Sequence, residues 1–490
     1  MDKAWMGAIA VFLLVLAVRL FAAFQTPYYS SDESYLHVRA VENILEGKLL
    51  WNDPLGYGGR TLVMSPLFDA ILALFSLIMP IDLVLKIMPN IFSSLLVIPA
   101  FLISYKITKI AWISLSSALL ASLVPAFFSN TFNQVTPLTL AIPTFFFLAY
   151  AWLRVPEKTW VIIFLSLLLF FVFLHPLSIV FVLSIGIYIT FTALEQNATT
   201  AEYELGLFSI FFTLWAQFLL YKKLIIFHGI SVIWQNIPKE LLSSFYSQIT
   251  MWDAIWQIGI APLTGGTFAL YRTAFKKQKE TQLLFSITLV SIVMLWFKLI
   301  DFTTGFMLLG ITLTLLFAQR TSYFVKFILE TKIAKYCAII MTILLLSALS
   351  TVVYPDYIET QKQLTNTITQ EEISVLTGLG DETSQNATII APPTYGNYIT
   401  ALAQRKNVID KYYFLIPEIN ERYKDVMRLY KTSFETEAVE LFDKYSATHL
   451  IVPPGMKDVK YADSKCFKRI HATNIIVYKK DPNCKVKAVT

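Results

Sequence analysis

Charge is scarce in this chain: Asp, Glu, Lys and Arg make up 15% of its 490 residues, whereas 56% are hydrophobic. Mean hydropathy is +0.58, and the apolar runs repeatedly approach the roughly 20 residues that cross a bilayer, which excludes an ordinary soluble globule. Cysteine is rarer still. There are three, none in a Cys-x-x-Cys pair, so a thiolate metal centre has no supporting spacing. Also absent are a Gly-rich phosphate loop, a His-Glu-x-x-His helix and a nucleophile elbow, which leaves soluble nucleotide chemistry without a foothold. No feature points to a nucleic-acid partner.

What is present is a series of apolar runs: 5–24, 85–105, 111–128, 138–153, 159–174, 177–194, 205–221, 255–275, 283–297, 302–317 and 333–353. They predict a polytopic α-helical membrane protein of about eleven transmembrane helices. With Lys3 in the cytoplasm, Lys106 and Lys109, Arg154 and Lys158, the run Arg272, Lys276, Lys277, Lys279, and the stretch Arg320, Lys326, Lys332 all fall inside, as the positive-inside rule asks. The N-terminus is then cytoplasmic, the first run is a signal anchor, and the loops 25–84 and 222–254 face outward. The apolar segment Leu62–Met79 carries Asp69 and follows the rule only as a helix lying in the outer interface. At Tyr354 the composition turns polar. The expected organisation is a transmembrane domain, 1–353, and a soluble extracytoplasmic α/β domain, 354–490. In the latter, Ala387–Ala391 and His449–Val452 read as strands, Glu418–Tyr430 and Glu435–Tyr445 as helices, and Phe467–Ile470 with Asn474–Lys479 as a closing hairpin. Cys466 and Cys484 flank that hairpin, and both a disulfide and two free thiols are open.

The most informative segment follows the first run: Ser31-Asp32-Glu33-Ser34-Tyr35-Leu36-His37-Val38-Arg39. Adjacent carboxylates at the exit of a membrane helix suit chemistry at the water–lipid boundary, although solvated loop acids look the same in sequence. Val38, Val41, Ile44 and Leu45 form one helical face able to lie on the membrane, with Arg39 and Glu42 turned elsewhere. On the same outer side stand Arg60 after Gly58-Gly59, Asp53, Asp69, Lys222 beside Lys223, and His175-Pro176. Arginine suits phosphate because its planar fork makes two hydrogen bonds, so Arg39 and Arg60, with Lys222, are candidates for a donor phosphate or a lipid headgroup. His37, Asp53, Asp69 and His175 are lesser candidates, the last read first as a turn residue. Coupled transport is disfavoured because the spans carry almost no charge.

The run from Asp32 to Pro66 resembles the first outer loop of GT-C-type membrane glycosyltransferases, most of all the archaeal-type catalytic subunit of oligosaccharyltransferase. In that family an acidic residue before a Tyr-x-His/Asn-x-Arg helix sits at the catalytic centre, which Glu33 or Asp32 would match. The Asp-Glu doublet also resembles that of protein O-mannosyltransferases and their lipid-modifying bacterial relatives. Tyr395-Gly396-Asn397-Tyr398 through Arg405, then Val408-Ile409-Asp410, resembles the segment behind the family's Trp-Trp-Asp-Tyr-Gly motif, making Tyr395 and Gly396 acceptor-side candidates. Where the family has Trp-Trp-Asp, however, this chain has Pro392-Pro393-Thr394. Where it has a second acidic element, this chain reads Phe132-Asn133-Gln134-Val135. Arg320 resembles an arginine that contacts the donor phosphate, yet lies inside by the topology above.

The resemblance implies transfer of a sugar or oligosaccharide from a polyprenyl- or dolichyl-phosphate-linked donor to a protein or glycan acceptor outside the cytoplasm. A true oligosaccharyltransferase and a degenerate scaffold or transporter are the alternatives. Asp32 and Glu33 would be ligands of a divalent metal, Mg²⁺ or Mn²⁺, only with help from Asp53, Asp69 or donor phosphates. A metal-free inverting route with one carboxylate as base stands beside it.

Overall fold

The computed structural model describes residues 2–229, 250–273, 278–413, 415–462 and 464–485. The chain divides into two units, one of residues 1–27, 75–220 and 243–366, the other of residues 28–74, 221–242 and 367–490. Much of the expected outer loop 222–254 and the basic residues Lys276 and Lys277 lie outside the described residues.

The first unit is helical. Among the described residues seven helices are long and apolar enough to cross a membrane, and four shorter apolar helices accompany them. This is an integral membrane protein. Every expected span but two coincides with one of these helices: 111–128 is interrupted after Ser122, ahead of Pro125, which opens the short helix Pro125–Ser129. The other, 255–275, is broken where Gly259 takes φ 91° between the helices Met251–Ile258 and Ile260–Thr273. The helix Leu67–Ser76 has 10 residues, about 15 Å, half of what a bilayer core requires. The last long helix does not stop where polarity rises: it runs from Cys337 to Thr365 through Pro355, because Val352, Asp356 and Thr360 stay buried on one face beyond the apolar stretch.

The membrane helices also hold charge that the composition argument passed over. Arg19 is fully buried, donates to Thr131 and lies over the rings of Phe127 and Phe128 at 5.3 and 4.8 Å. Lys86 donates to the carbonyls of Ala23 (3.2 Å) and Thr26 (3.0 Å) and to Asn133 Oδ1. Its ammonium thereby caps the C-terminal end of the first helix, where unsatisfied carbonyls collect partial negative charge. Buried cations in the spans thus weaken the low-charge ground against transport: Lys86 is satisfied by oxygens, whereas Arg19 has one Nη on Thr131 and two aromatic faces beside it, and its Nε and Nη1 have no hydrogen-bond partner among the described residues.

The second unit carries the sheets. Strands β1 (Asn52–Asp53) and β2 (Arg60–Thr61) pair antiparallel within the first loop. Strands β3 (Thr388–Ile390), β4 (Lys406–Asn407), β5 (Ala447–Val452), β6 (Phe467–Ala472) and β7 (Ile476–Lys480) form a five-stranded sheet in the order β4-β3-β5-β7-β6. β3 runs parallel to β4 and β5, and β7 antiparallel to β5 and β6. The helices Ile419–Lys431 and Glu435–Lys444 bury Val426, Leu429 and Phe442 in one core with Ile390, Leu450 and Tyr478. The first loop is stitched to this sheet by main-chain bonds from Asn407 N–H to Leu55 O (2.9 Å) and from Tyr57 N–H to Asn407 O (2.8 Å).

Cys466 and Cys484 form a disulfide across the closing hairpin. With its ends 18 positions apart in the sequence, opening it should lower the stability of this unit by about 3 kcal/mol. Thermal melting of the Cys466→Ser/Cys484→Ser chain beside reduced wild type checks this, and a match to oxidised wild type refutes it.

Candidate active site

The helix Asp32–Leu45 opens with Ser31 as its cap, whose hydroxyl accepts from Glu33 N–H at 3.2 Å. Two acids in its first turn are stabilised by the positive end of the helix. Successive residues on a helix point about 100° apart, so the doublet divides. Asp32 is 3% exposed, while Glu33 is exposed to solvent. Both oxygens of Asp32 are engaged within the unit: Oδ2 accepts from Asn397 Nδ2 at 2.8 Å and Oδ1 from Tyr398 N–H at 3.0 Å. Tyr35 lies tilted against Tyr398 with ring centroids 4.8 Å apart, and Tyr398 tilted against Tyr395 at 5.1 Å, an aromatic cluster beside this joint. Asp32 is thus a tie between the first loop and the segment that follows β3, and Glu33 is the carboxylate of the doublet that faces solvent.

Burial pushes the Asp32 carboxyl up from its ordinary 3.8 to about 8, against the pull of the Lys411 ammonium and the two hydrogen bonds. Below about pH 4 the folded and unfolded chains both carry this proton. Between about 4 and 8 the unfolded chain releases it and the folded chain keeps it, so this group makes stability fall as pH rises through that window. Asp32→Asn is expected to remove that slope, since Asn397 can turn its unpartnered, buried Oδ1 toward the new amide. Melting temperatures in detergent from pH 4 to 8 check it: a variant that keeps the wild-type slope refutes the assignment.

Arg39 and Arg60 correct the reading that sets them against donor phosphate or lipid. Both are buried, and both are held by acids of the same unit. Arg39 pairs with Asp53. Arg60 donates from Nε (3.1 Å) and Nη2 (2.9 Å) to Asp53, and from Nη1 to Asp410 (2.6 Å) and to Tyr412 O (3.0 Å). Burial opposes charge on Asp410, but Arg60 outweighs it and holds this carboxyl below its usual range. Two guanidiniums and two carboxylates balance, which is why the helix turns Arg39 inward rather than to its polar face. Tyr412 carries the arrangement back to the loop by donating to Val63 O at 2.7 Å and packing with Leu36, Ala40 and Leu62.

The lesser candidates have local partners. His37 Nδ1 and Asp69 Oδ1 lie 2.7 Å apart, both buried. Burial works to lower the His37 pKa, and the Asp69 carboxylate, with Glu33 farther off, reverses this and raises it. Tyr395 donates to Glu372. Gly396 is a close-packing position, since a Cβ there would stand 2.4 Å from Asp410 Cβ and 2.5 Å from Ile409 O. His175 ends its helix, its Nδ1 accepting from Leu177 N–H at 3.1 Å, a turn role. Lys222 is exposed on the helix Thr200–His228, and Arg320 lies over the ring of Phe268 at 4.3 Å in the membrane unit.

The carboxylates do not fit a resident divalent ion. Such ions need several oxygen ligands, and among the described residues no three His, Cys, Asp or Glu side chains gather. Asp53 and Asp410 are neutralised by arginine, Asp69 faces His37, and Asp32 has both oxygens taken, which leaves Glu33. Sequence reasoning missed Asn397 and Lys411. The acid-to-amide joint spans 365 residues and leaves no local signal, while Lys411 is one lysine among forty basic residues.

No protein-family profile matches the chain, and no curated protein does. Solved structures do. The archaeal oligosaccharyltransferase AglB from Archaeoglobus fulgidus, in complex with an inhibitory peptide and a dolichol-phosphate, superposes with a TM-score of 0.68 at 13% identity, covering 92% of this chain and 69% of that one. The same enzyme in complex with Zn and sulfate gives 0.63 at 13% identity, over 90% and 67%. ArnT from Cupriavidus metallidurans in the apo state gives 0.61 at 9% identity, over 97% and 98%. At such identities the likeness is one of fold. The chain has the GT-C fold of these membrane glycosyltransferases.

Proposed function

We propose that this protein is a membrane glycosyltransferase that moves a sugar or oligosaccharide from a polyprenyl- or dolichyl-phosphate-linked donor to an acceptor on the extracytoplasmic side, with the N-terminus cytoplasmic. The observation that carries the reading is the divided doublet: a solvent-facing Glu33 on the first turn of a capped helix that buried Asp32 locks to Asn397 and Tyr398. A fold shared with two lipid-phosphate-associated transferases supports it.

In this reading Glu33 takes the proton from the acceptor N–H or O–H as its heteroatom attacks the sugar C1. The bond between C1 and the phosphate oxygen breaks, the lipid phosphate leaves with the electron pair, and the anomeric centre inverts. Asp32 positions Glu33 and does not touch substrate. No step needs a metal ligand beyond what the donor itself brings. The Pro392-Pro393-Thr394 stretch replaces the aromatic and acidic residues that hold a Ser or Thr in the resembled family, so the acceptor here need not be an Asn-x-Thr peptide.

Sugar release from a panel of polyprenyl-phosphate-linked sugars, by membranes containing the protein beside membranes without it, tests the reading. Release above background, unchanged by an Asn-x-Thr peptide, is expected. A peptide requirement would identify protein N-glycosylation, and no release across the panel would sink the enzyme reading.

A further inference from the structure

The phosphate that leaves in this reaction carries negative charge, and the two arginines first in line for it are spent on Asp53 and Asp410. Another cation of the same unit, Lys411, sits between Asp410 and Tyr412, residues that the fold ties to the first loop and to the helix that carries Asp32 and Glu33. Lys411 is partly exposed and has no hydrogen bond or ion pair to any described residue, yet its ammonium acts on the Asp32 carboxyl. Its position is fixed from both sides. Asp410, fully buried, is clamped by Arg60 and by Asn407 Nδ2 at 3.3 Å. Tyr412 donates its N–H back to Asp410 at 2.8 Å and packs against Leu36 and Ala40 on the helix that carries Asp32 and Glu33. A lysine whose two neighbours are anchored this way has its backbone pinned and its long side chain free. That combination presents a charge at a defined place while letting the ammonium follow a ligand.

We infer that Lys411 is the phosphate-binding cation of this unit, meeting the phosphate of a polyprenyl-phosphate lipid beside Glu33. The identity of the lipid rests on the glycosyltransferase reading; the assignment of the phosphate contact rests on the geometry. One rival role is internal: an ammonium near a buried carboxylate can serve as its counter-ion. Asp32, however, already has both oxygens occupied by Asn397 and Tyr398, and no ion pair joins it to Lys411. A lysine serving only Asp32 would be expected to close that gap, because a contact pair partly removed from water is worth more than a distant one.

Binding to the purified full chain in nanodiscs is measured for undecaprenyl phosphate, for undecaprenol without the phosphate, and for inorganic phosphate. Lys411→Ala should weaken undecaprenyl phosphate about tenfold or more, the loss of one charge-assisted contact. It should leave undecaprenol unchanged, and Lys411→Arg should restore most of the affinity. Weaker inorganic phosphate binding in the same variant would support the assignment from a ligand without a tail. Undecaprenyl phosphate bound as tightly by Lys411→Ala as by wild type overturns the inference. So does an equal loss for undecaprenol, which would mean that the lysine supports the fold or the lipid tail. Since the readout is binding, a chain that binds through Lys411 and releases no sugar would overturn the transferase reading and leave this assignment standing.

Discussion

Glu33→Gln is expected to lower sugar transfer by about 10²–10⁴-fold while leaving donor binding and the melting temperature near wild type, the range set by losing a general base. Glutamine has nearly the same size and cannot accept the proton. Glu33 is exposed and makes no buried contact that the change would break, and surface substitutions of this kind stay within about 0.5 kcal/mol. The matching change at Asp32 should behave differently. Asp32→Asn perturbs a buried joint, so its effect falls on stability and its pH dependence, with turnover reduced only as far as Glu33 is displaced. The pair of variants therefore separates base from tie. Single-turnover sugar release, with folding followed by melting, decides it: full activity in Glu33→Gln beside an inactive Asp32→Asn would reverse the two roles and remove the basis of the mechanism.

How far the sequence carried is clearest where local rules act alone. Apolar length marked most of the membrane helices, because backbone polar groups in lipid must be paired within the segment and a long apolar helix does that. Alternating and amphipathic runs gave strands β3 and β5 and the last two helices. Strand β4, two residues long, carries no periodicity and was invisible. The break at Gly259 was hidden because apolar composition continues across it, and only a positive φ marks it. The site divides along the same line. Ser31 capping a helix that starts at Asp32 is a local pattern, and adjacent carboxylates at a helix exit marked the doublet, to which the resemblance then gave a role. Which of the two acids faces water is decided by Asn397 and Tyr398, more than 360 residues away. Arg39 and Arg60 looked like phosphate ligands because both lie in an exposed-seeming polar loop. Their acids, Asp53 nearby and Asp410 far along the chain, are ordinary residues until the fold brings them together.

Arg60→Met should cost the second unit about 3–5 kcal/mol, the penalty of leaving a buried charge without its partner. Arg60 is 3% exposed in its side chain and its two acids are fully buried. Once it is gone Asp53 still has Arg39, but Asp410 retains only the amide of Asn407 and the N–H of Tyr412. A neutral donor pair does not replace a guanidinium in a place water does not reach. Arg60→Met/Asp410→Leu should recover most of the loss, because a buried pair exchanged whole for apolar side chains of similar volume is often near neutral. Denaturant or thermal melting of the two single variants and the double, read as a cycle, measures the coupling. The same series tests what the arginine is for. If Arg60 met donor phosphate, Arg60→Met would weaken undecaprenyl phosphate binding without unfolding the unit, and the double variant would bind no better than the single. A large destabilisation that the second substitution relieves, with phosphate affinity restored alongside the fold, places Arg60 in the frame that holds residues 410–412 and assigns the phosphate contact elsewhere.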